Sequence, residues 1–456
     1  MLHKYVFRTV ILATALITAI PAWARVLESA SAKPHPTRAA SDAMGPEASP
    51  AAGRIPSSLT LDDALQLALA RSPVLAQARA EIEAGRNKVE YDSQLPDPAL
   101  TLDAQNLPAS TFALNQSGMS MLGIGVSQKF PPPGKLGLIR RQLEQDTNAL
   151  RYRKLNLKAG IVRAVRRTWL ALYYDDRVLA ILAENRTLYR QAEQAALARY
   201  RAGRGQATDV LKVQLAAGKL TDREDRWHSR RRQAQSRLAQ LLALPSHDHF
   251  TVAQTFPRLP AVPSQRTLLK GLIHHPVIAA QNDVIRAAQL NAAAARRDFY
   301  PSYALSASWA HRAAPFVRVA NLVSVGVTMT VPLFPGRRQD ARLRGREARI
   351  DVARDQRDEL LLKLRRQAQS RYADYDALTH RIRLLRDKLL PETRQAAVAS
   401  LSAMRTGNLP LTDALDAQRA VLDQTLQMWL LKTSRARVAA DLDYLATTAT
   451  EDFHAR

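Results

Sequence analysis

Cysteine is absent from all 456 residues, and aromatic side chains make up only 6% of them. Without a thiol there is no disulfide scaffold, no thiolate zinc or iron–sulfur centre, no cysteine nucleophile and no acylated N-terminal cysteine. Acid is also scarce, with 41 Asp and Glu against 66 Lys and Arg, a formal net charge of +25. A hydrophobic fraction of 46% with 23% charged residues marks a chain that can bury a core rather than a disordered one. The length suits two or three ordinary domains or one elongated one. So large a basic excess points to an anionic partner, either nucleic acid or a membrane surface.

The N-terminus narrows that choice. Lys4 and Arg8 precede an apolar run over 9–20, and Ala22-Trp23-Ala24 spaces small residues as signal peptidase requires. Residues 1–24 are therefore read as a cleaved secretory signal, the run being short of the roughly 20 residues of a membrane span. Loss of Lys4 and Arg8 lowers the charge from +25 to +23, and export removes nucleic acid as a partner. Residues 25–56, dense in Ala, Ser and Pro, read as a flexible leader.

The remainder reads as an internal duplication with an interval of about two hundred residues. Arg71-Ser72-Pro73-Val74 corresponds to His274-His275-Pro276-Val277, and Leu95-Pro96 to Tyr300-Pro301. Phe130-Pro131-Pro132-Pro133-Gly134-Lys135 corresponds to Val331-Pro332-Leu333-Phe334-Pro335-Gly336-Arg337. Arg201-Ala202-Gly203 with Thr208-Asp209-Val210-Leu211 corresponds to Arg405-Thr406-Gly407 with Thr412-Asp413-Ala414-Leu415. The boundaries expected are a first repeat over 57–250, a linker over 251–263, a second repeat over 264–447 and a tail over 448–456.

Each half reads as a helix, two alternating segments, a proline–glycine stop and a long helical hairpin. Val323, Val325, Val327 and Met329 alternate with Ser324, Gly326 and Thr328, as Leu122, Ile124 and Val126 do with Gly123 and Gly125. The strand pairs are placed at about 98–131 and 301–334, and each segment has the length of a tilted strand crossing an outer membrane. A half-buried hairpin in a soluble sheet would alternate in the same way. The hairpins, at about 134–244 and 336–446, lack proline from Pro133 to Pro245 and from Gly336 to Pro391. Arms of about 50 to 60 residues would reach about 80 Å, too long to fold over a compact core.

Backbone in lipid tolerates no open sheet edge, and four strands cannot close a barrel. The expected fold class is thus an internally duplicated α+β membrane protein whose barrel is shared between chains. Two copies would make a filled eight-strand plug, whereas three make twelve strands around water. The helices would continue that lumen as a tube.

Leu59-Thr60-Leu61-Asp62-Asp63-Ala64-Leu65 with Ser72-Pro73, the Pro-Gly after each strand pair and the two Gly/Thr-Asp segments together resemble the TolC-like outer-membrane efflux family over about residues 57–447. The resemblance implies a homotrimer with a twelve-strand barrel in outer-membrane lipid and a periplasmic helical barrel. It implies docking to a periplasmic adaptor and an inner-membrane resistance-nodulation-division pump, and a passive duct, with no enzyme activity and no cofactor. Asn106-Leu107-Pro108, Met119-Ser120-Met121 and Gln128-Lys129-Phe130 are similar to members serving heavy-metal pumps, which makes metal cations the expected cargo. Drugs or other small organic molecules are the alternative cargo, and a periplasmic coiled-coil structural protein the alternative function.

Candidate site residues cluster at the hairpin turns. Gly203 and Gly407 suit the left-handed conformation a reversal needs, and Gly134 and Gly336 mark the strand-to-helix stops. Thr208, Asp209, Thr412 and Asp413 are placed to cap the returning helices. Asp413 and Asp416, three apart, share a helix face. The resemblance implies that they line a cation-selective periplasmic gate with Thr208, Asp209 and Thr412, and that the turns dock the adaptor. The tyrosine and arginine that lock this gate in relatives fall at Met404 and Leu409 here.

No metal site is expected. His247-Asp248-His249, His274-His275 and the pair Met119 and Met121 are read as polar loops rather than ligands. Arg223, Arg226 and Arg230-Arg231-Arg232, with only Trp227 interleaved, are read as a solvated helix face or as trimer salt bridges to acids such as Glu224 and Asp225.

Overall fold

A computed structural model describes residues 58–245, 250–312 and 319–449. The expected signal and leader and the His247-Asp248-His249 turn lie outside these residues. Six strands and nine α-helices make up the described chain. Strand β1 (Ser58–Leu59) leads into α1 (Leu61–Arg71) and α2 (Pro73–Asp92). Next come β2 (Ala99–Gln105), β3 (Met121–Phe130), α3 (Lys135–Arg201) and α4 (Ala207–Leu241). The second half holds β4 (Thr251–Val252), α5 (Gln265–Gly271), α6 (Pro276–Arg296), β5 (Ser302–Arg312) and β6 (Leu322–Thr330). It ends in α7 (Pro335–Leu384), α8 (Leu390–Arg405) and α9 (Leu411–Ala446).

The helix starts follow local chemistry. Thr60 and Asp63 form a reciprocal capping box at α1. At the two Ser/His-Pro sites a side chain caps and proline occupies the first turn, where its missing N–H costs nothing. Ser72 Oγ accepts from Leu75 N at 3.3 Å, and His275 Nδ1 accepts from Val277 N at 3.3 Å.

The hairpin arms are unequal, which departs from the expectation of two arms of 50 to 60 residues. Helix α3 has 67 residues, on the order of 100 Å, and its return α4 only 35. The rest of α3 is covered by α2 and α6, which pack along it. The second long arm runs through Pro391, because a π turn over Leu385–Leu389 separates α7 from α8. That turn relieves the proline ring's clash with the carbonyl four residues back.

Helices α4, α3, α9 and α7 pack side by side in that order. One core joins β1, α1 and β4 to the middle of α3 through Leu59, Trp169, Leu242 and Phe250. A second joins α5 and α6 to α7 and α9 through Leu272, Ala368 and Leu442. The two short strands are not legible in the sequence, where Leu59 starts a helical pattern and 251–263 reads as linker. They pair in parallel, Ser58 with Thr251 and Leu59 with Val252.

The four long strands form one antiparallel sheet in the order β2-β3-β5-β6. Their register sets Leu102 beside Ile124, Ile124 beside Trp309 and Trp309 beside Val323. No helix of the described residues is long and apolar enough to cross a membrane.

Candidate functional site: hairpin turns and open strand edges

Both hairpins reverse through the same backbone device. Gly203 has φ of 69° and Gly407 of 81°, the left-handed region where a Cβ is costly. In the first turn Arg204 N bonds Arg199 O at 2.9 Å and Gly203 N bonds Tyr200 O at 3.0 Å. In the second, Asn408 N bonds Ala403 O at 2.9 Å and Gly407 N bonds Met404 O at 3.2 Å. These paired bonds satisfy the last carbonyls of α3 and α8.

The expected threonine and aspartate caps are corrected by the structure. The returning helices are capped at Gln206 and Pro410, neither with a side-chain bond, and Thr208 and Thr412 sit inside α4 and α9. Thr208 Oγ1 donates to Gln206 Oε1 at 3.2 Å, and Thr412 Oγ1 to Asp413 Oδ1 at 3.3 Å. Proline offers no acceptor and glutamine is too long, so the glycine side of each turn carries the geometry. Asp209 and Asp413 occupy the first turns of α4 and α9, where the helix dipole favours a carboxylate.

Asp413 and Asp416 are exposed, and neither forms an ion pair among the described residues. The position in α4 equivalent to Asp416 is Lys212, so the two turns differ in charge. Within the chain they are held together by an apolar cluster of Ala196, Val210, Val213 and Leu411, against which Met404 packs. Arg199 also points its guanidinium at the Met404 sulfur, 4.0 Å away.

At the other end, Gly134 precedes α3 with φ of 77°, as a stop requires. Gly336 does not match it: α7 begins at Pro335, and Gly336 is inside its first turn without a positive φ. A proline with preset φ opens the second long helix where a glycine opens the first. Asp298 ties the two starts together, accepting from Lys135 at 2.5 Å and Arg342 at 2.9 Å. Burial alone would raise its pKa, but the Lys135 and Arg342 bonds outweigh that and hold it below the usual carboxylate range.

The sheet turns one apolar face outward. Leu102 and Val325 are each 76% exposed and Val323 75%, while the opposite face carries Gly123, Gly125, Ser306 and Ser324. No strand pairs the outer edges of β2 and β6 among the described residues. A row of unpaired backbone groups flanking an apolar face is what an outer-membrane barrel segment presents before closure.

The sequence profile of the outer membrane efflux protein family matches residues 64–244 and 270–447. The chain belongs to that family. Its members are outer-membrane channels with a periplasmic helical tunnel and not enzymes, so this efflux protein is an outer-membrane protein. Outer membrane efflux protein BepC of Brucella suis biovar 1 (strain 1330) is 23% identical over 404 residues, spanning 87% of this chain and 86% of BepC. The outer-membrane channel OprN superposes with a TM-score of 0.70 at 20% identity, over 85% of this chain and 89% of OprN. CusC, described for conformational changes accompanying transmembrane channel formation, gives 0.71 at 18% identity, over 84% and 91%.

Among the remaining candidates of this efflux protein, His275 departs from the polar loop expected of it and caps α6 instead. His275 is fully buried; its Nε2 faces Tyr444 O at 3.3 Å and its ring meets the Tyr444 ring edge-on. Because Nδ1 accepts from Val277 N, the proton sits on Nε2, and burial pushes the pKa down to about 4. Met119 is exposed in the β2–β3 loop and Met121 begins β3.

Within the chain, the basic cluster of α4 pairs with acids other than Glu224 and Asp225. Arg223 bonds Asp423 at 2.8 Å, Arg231 bonds Asp176 at 2.5 Å and Arg226 pairs with Asp222. Glu224 is buried against Arg186, and Arg230 lies over the Trp227 ring at 4.3 Å.

Proposed function

We propose that this efflux protein is the passive exit duct of a tripartite system, assembled as a homotrimer with a twelve-strand barrel and a periplasmic helical barrel. One observation carries the reading: a four-stranded sheet exposes an apolar face and, among the described residues, leaves both edges unpaired. Lipid supplies no hydrogen bonds, so each edge must meet another chain. In the assembly β2 of one chain pairs with β6 of the next, and the arcs of helices close into a tube. The glycine turns at Gly203 and Gly407 point away from the sheet along the long helices and are the surfaces for a periplasmic adaptor, which hands over cargo from an inner-membrane resistance-nodulation-division pump.

The turns also form the gate. Asp413 and Asp416 from three chains converge as acidic rings favouring cations, with Thr208, Asp209 and Thr412 beside them. The apolar Met404 cluster holds the two turns of each chain together where relatives use polar locks. Asp413→Ala with Asp416→Ala lowers the cation-to-anion permeability ratio in planar bilayers by on the order of two- to fivefold. An unchanged ratio removes their filter role.

For cargo, the resemblance supports heavy-metal cations selected upstream by the pump, so the duct itself needs no ligand set. Small organic molecules are the second reading, favoured by the arginine-rich cavity between the long helices. A deletion strain separates the two, by sensitivity to metal salts or to drugs.

A further inference from the structure

Midway along the long helices, seven arginines and two aspartates line one cavity of about 890 Å³. Arg163 and Arg167 come from α3, Arg230 and Arg237 from α4. Arg366 and Arg371 come from α7 and Arg437 from α9. Helices α4 and α7 are the two ends of the packed row α4-α3-α9-α7, yet both border this cavity. The row is therefore curved, and the cavity is its concave side. On α3 the neighbouring face, with Trp169, Leu172 and Tyr173, is covered by the apolar core that holds β1 and β4. On α7, Leu364, Ala368 and Tyr372 are likewise covered, while Arg366 and Arg371 turn to the cavity.

The acids do not balance this charge. Asp441 is shared, accepting from Arg167 at 2.6 Å and Arg371 at 3.3 Å. Asp175 is buried, with one carboxylate oxygen unpartnered, near Arg230 and Arg437. Arg237 and Arg366 have no carboxylate partner among the described residues, and the buried Nε of Arg437 has no hydrogen-bond acceptor. Burial pushes the Arg437 guanidinium below its ordinary range, and Arg167 and Arg230 push it further although Asp175 opposes them. Like charges gathered in a part-desolvated concavity repel, and an anion bound among them relieves that repulsion. Guanidinium forks also match phosphate and carboxylate oxygens in pairs.

We infer that this arginine cradle is an anion-binding site for small molecules carrying two or more negative charges, such as phosphate- or carboxylate-bearing compounds. Its place on the duct's path rests on the trimeric reading, because only in a closed ring does the concave side face the lumen. The duct then holds two opposed elements, acidic turns at the periplasmic mouth and a basic waist midway. Anionic cargo is held at that waist, whereas metal cations pass it without binding. Arg230 also borders a second cavity, of about 660 Å³, walled by Tyr189 and Trp227, which extends the basic track toward the turns.

Sodium tripolyphosphate is the probe. Titrated by calorimetry into the detergent-purified full chain, it binds saturably, and Arg237→Gln with Arg366→Gln weakens that binding by about tenfold. Neither arginine has an ion pair to break, so the variant keeps its helical melting profile. A control pair, Arg344→Gln with Arg394→Gln, removes equal charge from exposed positions outside the cavity and leaves binding unchanged. Absence of binding to the wild-type chain, or equal loss in both pairs, overturns the cradle. In planar bilayers the same probe blocks conductance of the wild type more strongly than of the cradle variant. If no conductance arises at all, the duct reading falls, while calorimetry still decides the cradle.

Discussion

Trp169→Ala destabilises the protein by about 3–5 kcal/mol, the largest loss expected of any single substitution. Trp169 is 1% exposed in the core joining α3 to the short strands, and stacks on Tyr173 with ring centroids 5.5 Å apart. Its Nε1–H donates to Leu59 O at 3.1 Å. Alanine leaves a cavity and also removes one of the two donors to the Leu59 carbonyl, which keeps only Ala253 N at 3.0 Å, so a lost hydrogen bond adds to the cavity. Trp169→Phe separates them: it keeps most of the volume and loses about 0.5–1.5 kcal/mol through the missing hydrogen bond. Denaturant midpoints of the helical circular dichroism signal rank wild type above Phe and Phe above Ala. Equal midpoints for all three would mean that this core does not hold the helices.

The second large effect depends on pH. His275 is neutral in the fold, with its pKa pushed from 6.5 to about 4, first by burial and then by Arg163 against a bond to Tyr444 O. An unfolded chain takes up a proton below its ordinary pKa, whereas the folded chain refuses it until about 4. The stability held by neutral His275 is therefore complete above 6.5 and is lost as pH falls toward 4, in total about 3 kcal/mol.

Asp175 acts in the opposite sense, since burial raises its pKa to about 6 and the fold gains stability as pH falls through that range. The His275 contribution is isolated by comparison with His275→Ser, the residue at the equivalent cap, Ser72. The advantage of wild type over that variant shrinks by about 3 kcal/mol between pH 6.5 and pH 4. A constant advantage would contradict the buried neutral cap.

What could be read in the sequence was what repeats over several residues. Alternation along Val323, Val325 and Val327 marks β6, and Gly203 and Gly407 mark the turns, because each pattern forces one local backbone outcome. The pairing of β1 with β4 escaped because two residues carry no period. The unequal arms escaped because a helix end covered by another helix looks like any amphipathic stretch. Gly336 was misplaced because the neighbouring Pro335 already starts the helix, so the glycine is not needed for a stop. Thr208 and Thr412 looked like caps, but the chain enters each helix two residues earlier. The arginine cradle was out of reach, since its members run from Arg163 to Arg437 and meet only when four helices curve around one cavity.

The shared barrel is the claim on which the account rests, and the number of chains in the native particle tests it most directly. Native mass spectrometry of the protein extracted from outer membranes in detergent gives a single species of three chains, because twelve strands are needed to close the edges of β2 and β6 around water. A species of one chain, with its four strands unclosed, would contradict the account.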